Sequence, residues 1–237
     1  MRVLLVDDGE TNRKLIQLFL ARQGALVEVA ANGELAVAAT LNHEFDVILM
    51  DMQMPVMDGY AATRKLRDLG YTIPIIALTA HAMLGDRKKC EEAGCSGYIT
   101  KPVNMDELVR VVQTSVGGKT ELADSPGEAS ATARVDFARS AIQSTLPMDD
   151  PEIRELIAEF AATIPERIDA IEKALNMMDY NTIANLAHAL KGAGGTAGFQ
   201  CLTDVSLRIE ESAAERHAEG IGGMLHELRS INERIVV

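Results

Sequence analysis

The chain has 237 residues, a net charge of −12 and 47% hydrophobic residues, which is long for one compact domain and comfortable for two of about 100 to 200 residues each. The acidic balance and the lack of any Lys/Arg-rich run exclude a direct nucleic-acid surface, because phosphate contacts need clustered positive charge. No stretch reaches the roughly 18 apolar residues of a membrane span, and the first apolar run meets Asp7 and Asp8 too early for a signal peptide. We therefore expect a cytoplasmic chain without membrane contact. Cys90, Cys95 and Cys201 form no CxxC pair and read as reduced packing thiols.

From the N-terminus to residue 116, short β-rich runs alternate with helical patterns. The runs are VLLV (3–6), LVEVA (26–30), DVILM (46–50), IPIIAL (73–78) and SGYIT (96–100). Between the first two, Leu15, Leu18 and Phe19 keep helical spacing and Gly24 supplies a stop. Strands alternating with helices predict a parallel sheet covered on both faces.

Residues 117–134, GGKTELADSPGEASATAR, hold Leu122 as their one large apolar residue and read as a flexible linker. Strand signals then vanish, and 151–177, 179–197, 199–217 and 220–235 each read as an amphipathic helix. Short connections predict an antiparallel four-helix bundle over 135–237. Pro165 is expected to kink or split the first of these helices.

In an open parallel sheet, ligands bind outside the carboxyl ends of the strands, and the chemistry-bearing residues fall there. Asp7 and Asp8 follow the first strand, Asp51 ends the third, Thr79 ends the fourth and Lys101 follows the fifth. Converging carboxylates repel by about 4 kcal/mol per pair at 4 Å and an effective dielectric near 20, so they need a cation. Hard oxygen ligands suit Mg²⁺, held by Asp8, Asp51 and the backbone carbonyl of Gln53 with Asp7 beside them. The pattern predicts a phosphoryl-accepting site, with Asp51 attacking phosphorus and Lys101 and Thr79 ligating the transferred group.

The motifs LLVDDGETNRKL, DVILMDMQMPVMDGYAATRKLR, IIALTAHA and YITKPVN, in this order over residues 1–116, resemble the receiver domain of two-component response regulators. The resemblance implies a flavodoxin-like doubly wound fold with strand order 2-1-3-4-5, phosphorylation of Asp51, and Thr79 and Tyr98 as a switch pair. Gly9 departs from the polar residue often found at its position. A dehalogenase-type phosphohydrolase would carry a second Asp two residues after the nucleophile, where this chain has Gln53.

In the second half, AHALKGAGGTAG (187–198) places four glycines beside His188, at about 1 kcal/mol each within a helix. On a helical wheel Ile183, Leu186, Leu190, Ala193 and Ala197 share the core side. His188 points about 160° away, with Gly192 and Gly195 within roughly 40° of it. The expectation is an exposed imidazole among bare backbone, with Lys191 one turn on and able to reach a group on the ring. A neutral imidazole keeps one lone pair and can act as a nucleophile. The stretch LAHALKGAGGTAGFQCLTDVSLRIEESA resembles the histidine-containing phosphotransfer (HPt) domain. That resemblance implies that His188 is a phosphoacceptor, that Lys191 stabilises phosphohistidine, and that Gly192 permits close approach.

Together the halves resemble the C-terminal part of a hybrid sensor histidine kinase. The expected path runs from an upstream sensor histidine kinase to Asp51, then His188, then the receiver domain of a downstream response regulator. No ATP-binding Gly-rich signature is present, so autonomous kinase activity is not expected. The competing reading is a stand-alone response regulator acting by phosphorylation-dependent protein binding, with the helical domain as docking scaffold.

Overall fold

The structure is a computed structural model that describes residues 1–79, 84–116 and 141–237. The expected linker, 117–134, lies outside the described residues. The chain divides into two compact units, Met1–Ala123 and Asp124–Val237.

The first unit alternates strand and helix throughout. Its elements are β1 (Arg2–Val6), α1 (Glu10–Arg22), β2 (Leu26–Ala30), α2 (Gly33–Asn42), β3 (Val47–Asp51), α3 (Gly59–Asp68), β4 (Ile75–Thr79), α4 (Leu84–Ala93), β5 (Gly97–Thr100) and α5 (Met105–Val116). All four pairings are parallel and the order is β2-β1-β3-β4-β5. The doubly wound flavodoxin-like architecture expected from the sequence is the one observed. β3 and β4 are buried at every position, which is why they read as unbroken apolar runs rather than alternating ones. β4 starts two residues later than its apolar run because Pro74 has no N–H to give the ladder. Its carbonyl still accepts from Ile48 N at 2.9 Å.

Side chains finish the helix ends near the functional edge. Asn32 caps α2 by accepting from Leu35 N, and Asp58 caps α3 by accepting from Ala61 N. Gly59 opens α3 directly beneath β3, where a Cβ would collide with the Asp51 carbonyl oxygen. The glycine thus lets the β3–α3 connection close under the strand end.

The second unit holds four helices among its described residues: α6 (Pro151–Asn176), α7 (Tyr180–Thr196), α8 (Gln200–Ala214) and α9 (Ile221–Asn232). α6 begins with Asp150 as cap and Pro151 in the first turn, where a missing N–H costs nothing. Ile153, Ile157, Phe160, Ile164, Ile168 and Ile171 form its buried stripe. Contrary to the sequence expectation, α6 is not split at Pro165, which lies inside one continuous helix. Only the bond that its N–H would have given to Ala161 is lost there, while the apolar stripe stays buried on both sides of it.

The glycines of α7 answer to packing more than to exposure. A Cβ on Gly194 would lie 3.0 Å from Leu202 Cβ, so its absence lets α7 and α8 approach closely. Gly198 lies beyond the helix at φ +79°, and Phe199 N closes the end on the Gly194 carbonyl at 2.8 Å. Gly192 is buried and Gly195 half-buried, where the wheel expected an open face. Ala187 rather than Leu186 completes the core side, Leu186 being half-buried. Phe160 and Phe199 stack with centroids 6.2 Å apart inside the bundle.

A strap before α6 ties the unit together. Ile142 bridges in parallel to Ile235, donating to Arg234 O and accepting from Val236 N. Two residues on, Ser144 Oγ donates to Ala197 O at 2.7 Å and Thr145 N to Gly198 O at 3.1 Å.

Candidate functional site

The parallel sheet ends β1, β3, β4 and β5 along one edge, and this edge gathers the acidic cluster. Asp7 is 0% and Asp51 2% exposed, while Asp8 beside them is exposed. One carboxylate oxygen from each of Asp7, Asp8 and Asp51 lies within 4.8 Å of the others. Lys101, carried in by β5, places its ammonium 2.6 Å from Asp51 Oδ2 and 2.8 Å from Asp7 Oδ2. Its backbone N–H donates to Thr79 O at 2.7 Å, tying β5 to the end of β4. Asp51 Oδ1 accepts from Gln53 N at 3.1 Å, turning the Gln53 peptide under the carboxylate.

Charge decides what this cluster holds. Among the described residues, the Lys101 ammonium lies between Asp7 and Asp51 and the Arg13 guanidinium donates to the Asp7 carbonyl, while three carboxylates converge. Repulsion between such carboxylates is of order 4 kcal/mol per pair at about 4 Å and an effective dielectric near 20. The donors are all oxygen, so the set fits a hard divalent cation. Burial pushes the Asp51 carboxyl up, the Lys101 ammonium opposes this, and Asp7 adds to it, leaving Asp51 at about 6. Burial alone would lower Lys101, but the flanking Asp7 and Asp51 carboxylates outweigh it and raise the ammonium above its ordinary value.

Thr79 is buried at the end of β4, one strand from Asp51. Tyr98 sits on the edge strand β5, partly buried and packed against the cluster of Ile75, Ala77 and Cys90. The three cysteines are free thiols. Among residues the sequence reading passed over, Asn12 in the first turns of α1 reaches both Asp7 oxygens, at 3.1 and 3.3 Å.

The second centre lies on α7. His188 is not fully exposed as expected, because its side chain retains 18% exposure. Its Nδ1 lies 2.8 Å from Glu210 Oε1 on α8. Lys191, nearly buried, gives its ammonium to the other oxygen of the same carboxylate at 2.5 Å. Burial would raise Glu210, but the hydrogen bonds and charges of His188 and Lys191 prevail and hold it below the usual carboxylate range. An ionised Glu210 accepts from an Nδ1–H, which leaves the Nε2 lone pair for chemistry. Glu210 was missed because it is 22 residues away from His188. Its signal was the tight turn at 197–199, which folds α8 back along α7 and brings the two residues level.

This architecture, a doubly wound acidic-edge domain followed by a helical bundle with a carboxylate-braced histidine, defines a two-component signalling module. Residues 3–113 match the response regulator receiver domain and residues 155–234 match the Hpt domain. The chain thus joins a response regulator receiver domain to an Hpt domain. It is 30% identical over 94% of its length to the sensor histidine kinase GacS of Pseudomonas protegens, and 29% identical over 90% to the virulence sensor protein BvgS of Bordetella bronchiseptica. It spans 25% and 18% of those two relatives. Among solved structures, the receiver domain of a Pseudomonas aeruginosa sensor histidine kinase, described with a magnesium ion coordinated in its active-site cleft, is 42% identical. The match covers 49% of this chain and 97% of that one, with a TM-score of 0.46. Among the described residues, no helix is long and apolar enough to cross a membrane.

Proposed function

We propose that the chain carries two consecutive stations of a phosphorelay, with Asp51 accepting a phosphoryl group and His188 relaying it. The observation that carries this reading is the Asp51 carboxylate braced 2.6 Å from Lys101 inside the acidic trio. A phosphohistidine on a sensor kinase is the donor: its N–P bond breaks as an Asp51 oxygen bonds phosphorus. Asp8, Asp51 and the Gln53 carbonyl, beside Asp7, would hold Mg²⁺, which would supply charge neutralisation at the phosphoryl oxygens. Lys101 and Thr79 ligate the transferred group, and Tyr98 responds from the edge strand.

In the second step His188 Nε2 attacks phosphorus and the Asp51 acyl-phosphate bond breaks. Glu210 keeps Nδ1 protonated and balances the positive charge that develops on the ring. Lys191 holds Glu210 in place, and the group then passes to an aspartate on a downstream receiver. The sensor kinase upstream and the receiver downstream are the partners of this reading. The free cysteines agree with a cytoplasmic setting.

The test is incubation of the whole chain with Mg²⁺ and acetyl phosphate, followed by acid treatment that separates phosphoaspartate from phosphohistidine. Label on both stations, both lost in Asp51→Asn and only the second lost in His188→Gln, is the expected result. If a downstream receiver is labelled equally well by the His188→Gln chain, the binding-regulator alternative replaces the relay.

A further inference from the structure

We propose that Asn12 is a positioning residue for Asp7, and that position 9 is glycine because the Asn12 carboxamide and the Asp7 carboxylate it clamps together crowd the space a side chain would need. This rests on the reading of Asp7 as part of a cation-holding acidic cluster, but its geometry stands apart from any cation.

Asn12 is 4% exposed and directs its amide nitrogen at the Asp7 carboxylate, 3.1 Å from Oδ1 and 3.3 Å from Oδ2. The other end of the same side chain, Oδ1, is buried and has no hydrogen-bond partner among the described residues. A buried, unpaired amide oxygen is costly, and a Leu of similar size would avoid that cost. What the amide supplies in return is a donor that clamps a carboxylate which must not rotate. Asp7 is held on its remaining sides by Gly9 N on Oδ1 at 2.8 Å and by Lys101 Nζ on Oδ2 at 2.8 Å. Those contacts fix one donor to each oxygen, whereas the amide of Asn12 spans both and sets the plane of the group.

The second observation is independent and comes from the backbone. A Cβ built on Gly9 would stand 3.0 Å from Asn12 Nδ2 and 3.0 Å from Asp7 Oδ1, with Asn12 Cγ at 3.3 Å. Gly9 has φ −77°, so its backbone conformation does not call for glycine. The Asn12 amide and the Asp7 carboxylate that it holds together crowd the Cβ position. The two positions are therefore coupled, and substitutions at them are expected to be non-additive.

Three variants decide it: Asn12→Leu, Gly9→Ala, and Gly9→Ala in an Asn12→Ala background. In cation-free protein, hydrogen exchange of the Gly9 amide, which bonds Asp7, reports the clamp directly. Faster exchange in Asn12→Leu with an unchanged thermal midpoint is expected. Mg²⁺ affinity by calorimetry should fall about 10-fold in Asn12→Leu, as for other partners that orient a ligating carboxylate. Gly9→Ala should weaken Mg²⁺ binding in the wild-type background and weaken it less once Asn12 is Ala, where only the contact with Asp7 Oδ1 remains. Unchanged Gly9 exchange in Asn12→Leu, or a Gly9→Ala effect of equal size in both backgrounds, overturns the proposal. If the wild-type chain takes no Mg²⁺, the cation reading fails, and the exchange measurement still decides the role of Asn12.

Discussion

The Lys191 ammonium lies 2.5 Å from Glu210 Oε2, so this lysine is engaged with a carboxylate that also meets the His188 ring. Its first effect is on Glu210, and through Glu210 on the tautomer of His188. Glu210→Gln keeps the shape and an acceptor but removes the charge. The lost charge assistance is worth about 1.4 kcal/mol, which predicts about a 10-fold slower transfer to His188. Lys191→Met should slow transfer too, and should lower the stability of the helical unit by about 1.5 to 3 kcal/mol. Rapid-quench transfer from a phosphorylated receiver, together with urea unfolding, reads both. Equal transfer rates in wild type and Glu210→Gln would remove Glu210 from the chemistry.

Asp51 predicts an unusual pH dependence. Its carboxyl stands at about 6, above the ordinary 3.8, because burial outweighs the Lys101 ammonium. A carboxyl raised on folding binds its proton more tightly in the native state, so stability falls as pH climbs from about 4 to about 6 and levels off above. The stability difference between Asp51→Asn and wild type should therefore grow across this window, by up to about 3 kcal/mol. Thermal melts without divalent cation at pH 4.5 to about 7.5 check it, and added Mg²⁺ should shrink the difference by favouring the ionised form. A pH-independent difference would mean that Asp51 titrates normally.

Val56, in the connection between β3 and α3, adopts φ +72° and is 76% exposed. A β-branched residue in that region is strained, by about 1 kcal/mol or more. Val56→Asn, which tolerates the conformation and loses little packing, should raise the stability of the first unit by about 1 kcal/mol. Denaturant midpoints decide the sign.

Gly198 has φ +79°, and a Cβ there would lie 2.7 Å from Ser144 Oγ and 2.7 Å from Thr145 N. Gly198→Ala is therefore penalised twice, by backbone conformation and by collision with the strap, and should cost more than about 2 kcal/mol. Ser144→Ala loses the bond to Ala197 O, and about 1 kcal/mol with it. Calorimetry of the full chain, following the transition of the helical unit, measures both. A Gly198→Ala chain as stable as wild type would mean that the strap yields there.

The order and type of the elements were readable from sequence because apolar period and punctuation agree. Unbroken runs such as VILMD, buried on both faces, cannot be mistaken for the amphipathic stripe of α6. The acidic edge was readable for a topological reason: parallel strands deliver their C-terminal residues to one side, so Asp7, Asp51 and Lys101 converge without any knowledge of side-chain geometry. What escaped the sequence depended on tertiary approach. Glu210 reaches His188 across the α7–α8 pair, whose close approach the missing Cβ of Gly194 permits at Leu202. Gly192 is buried, where an isolated wheel places it on an open face. Pro165 does not split α6, because the buried isoleucines on both sides of it hold the helix together despite the lost backbone bond.

The parallel bridge between Ile142 and Ile235 has a mechanical consequence. Because the two segments run in the same direction, tension applied between residue 141 and residue 236 loads both bridging bonds lengthwise and together, in shear. An antiparallel pair pulled from one end would instead open bond by bond. A drag on the polypeptide at either side is thus absorbed at this clasp before it reaches the helix bearing His188. Single-molecule stretching from these two points should give one abrupt rupture, followed by release of the helices.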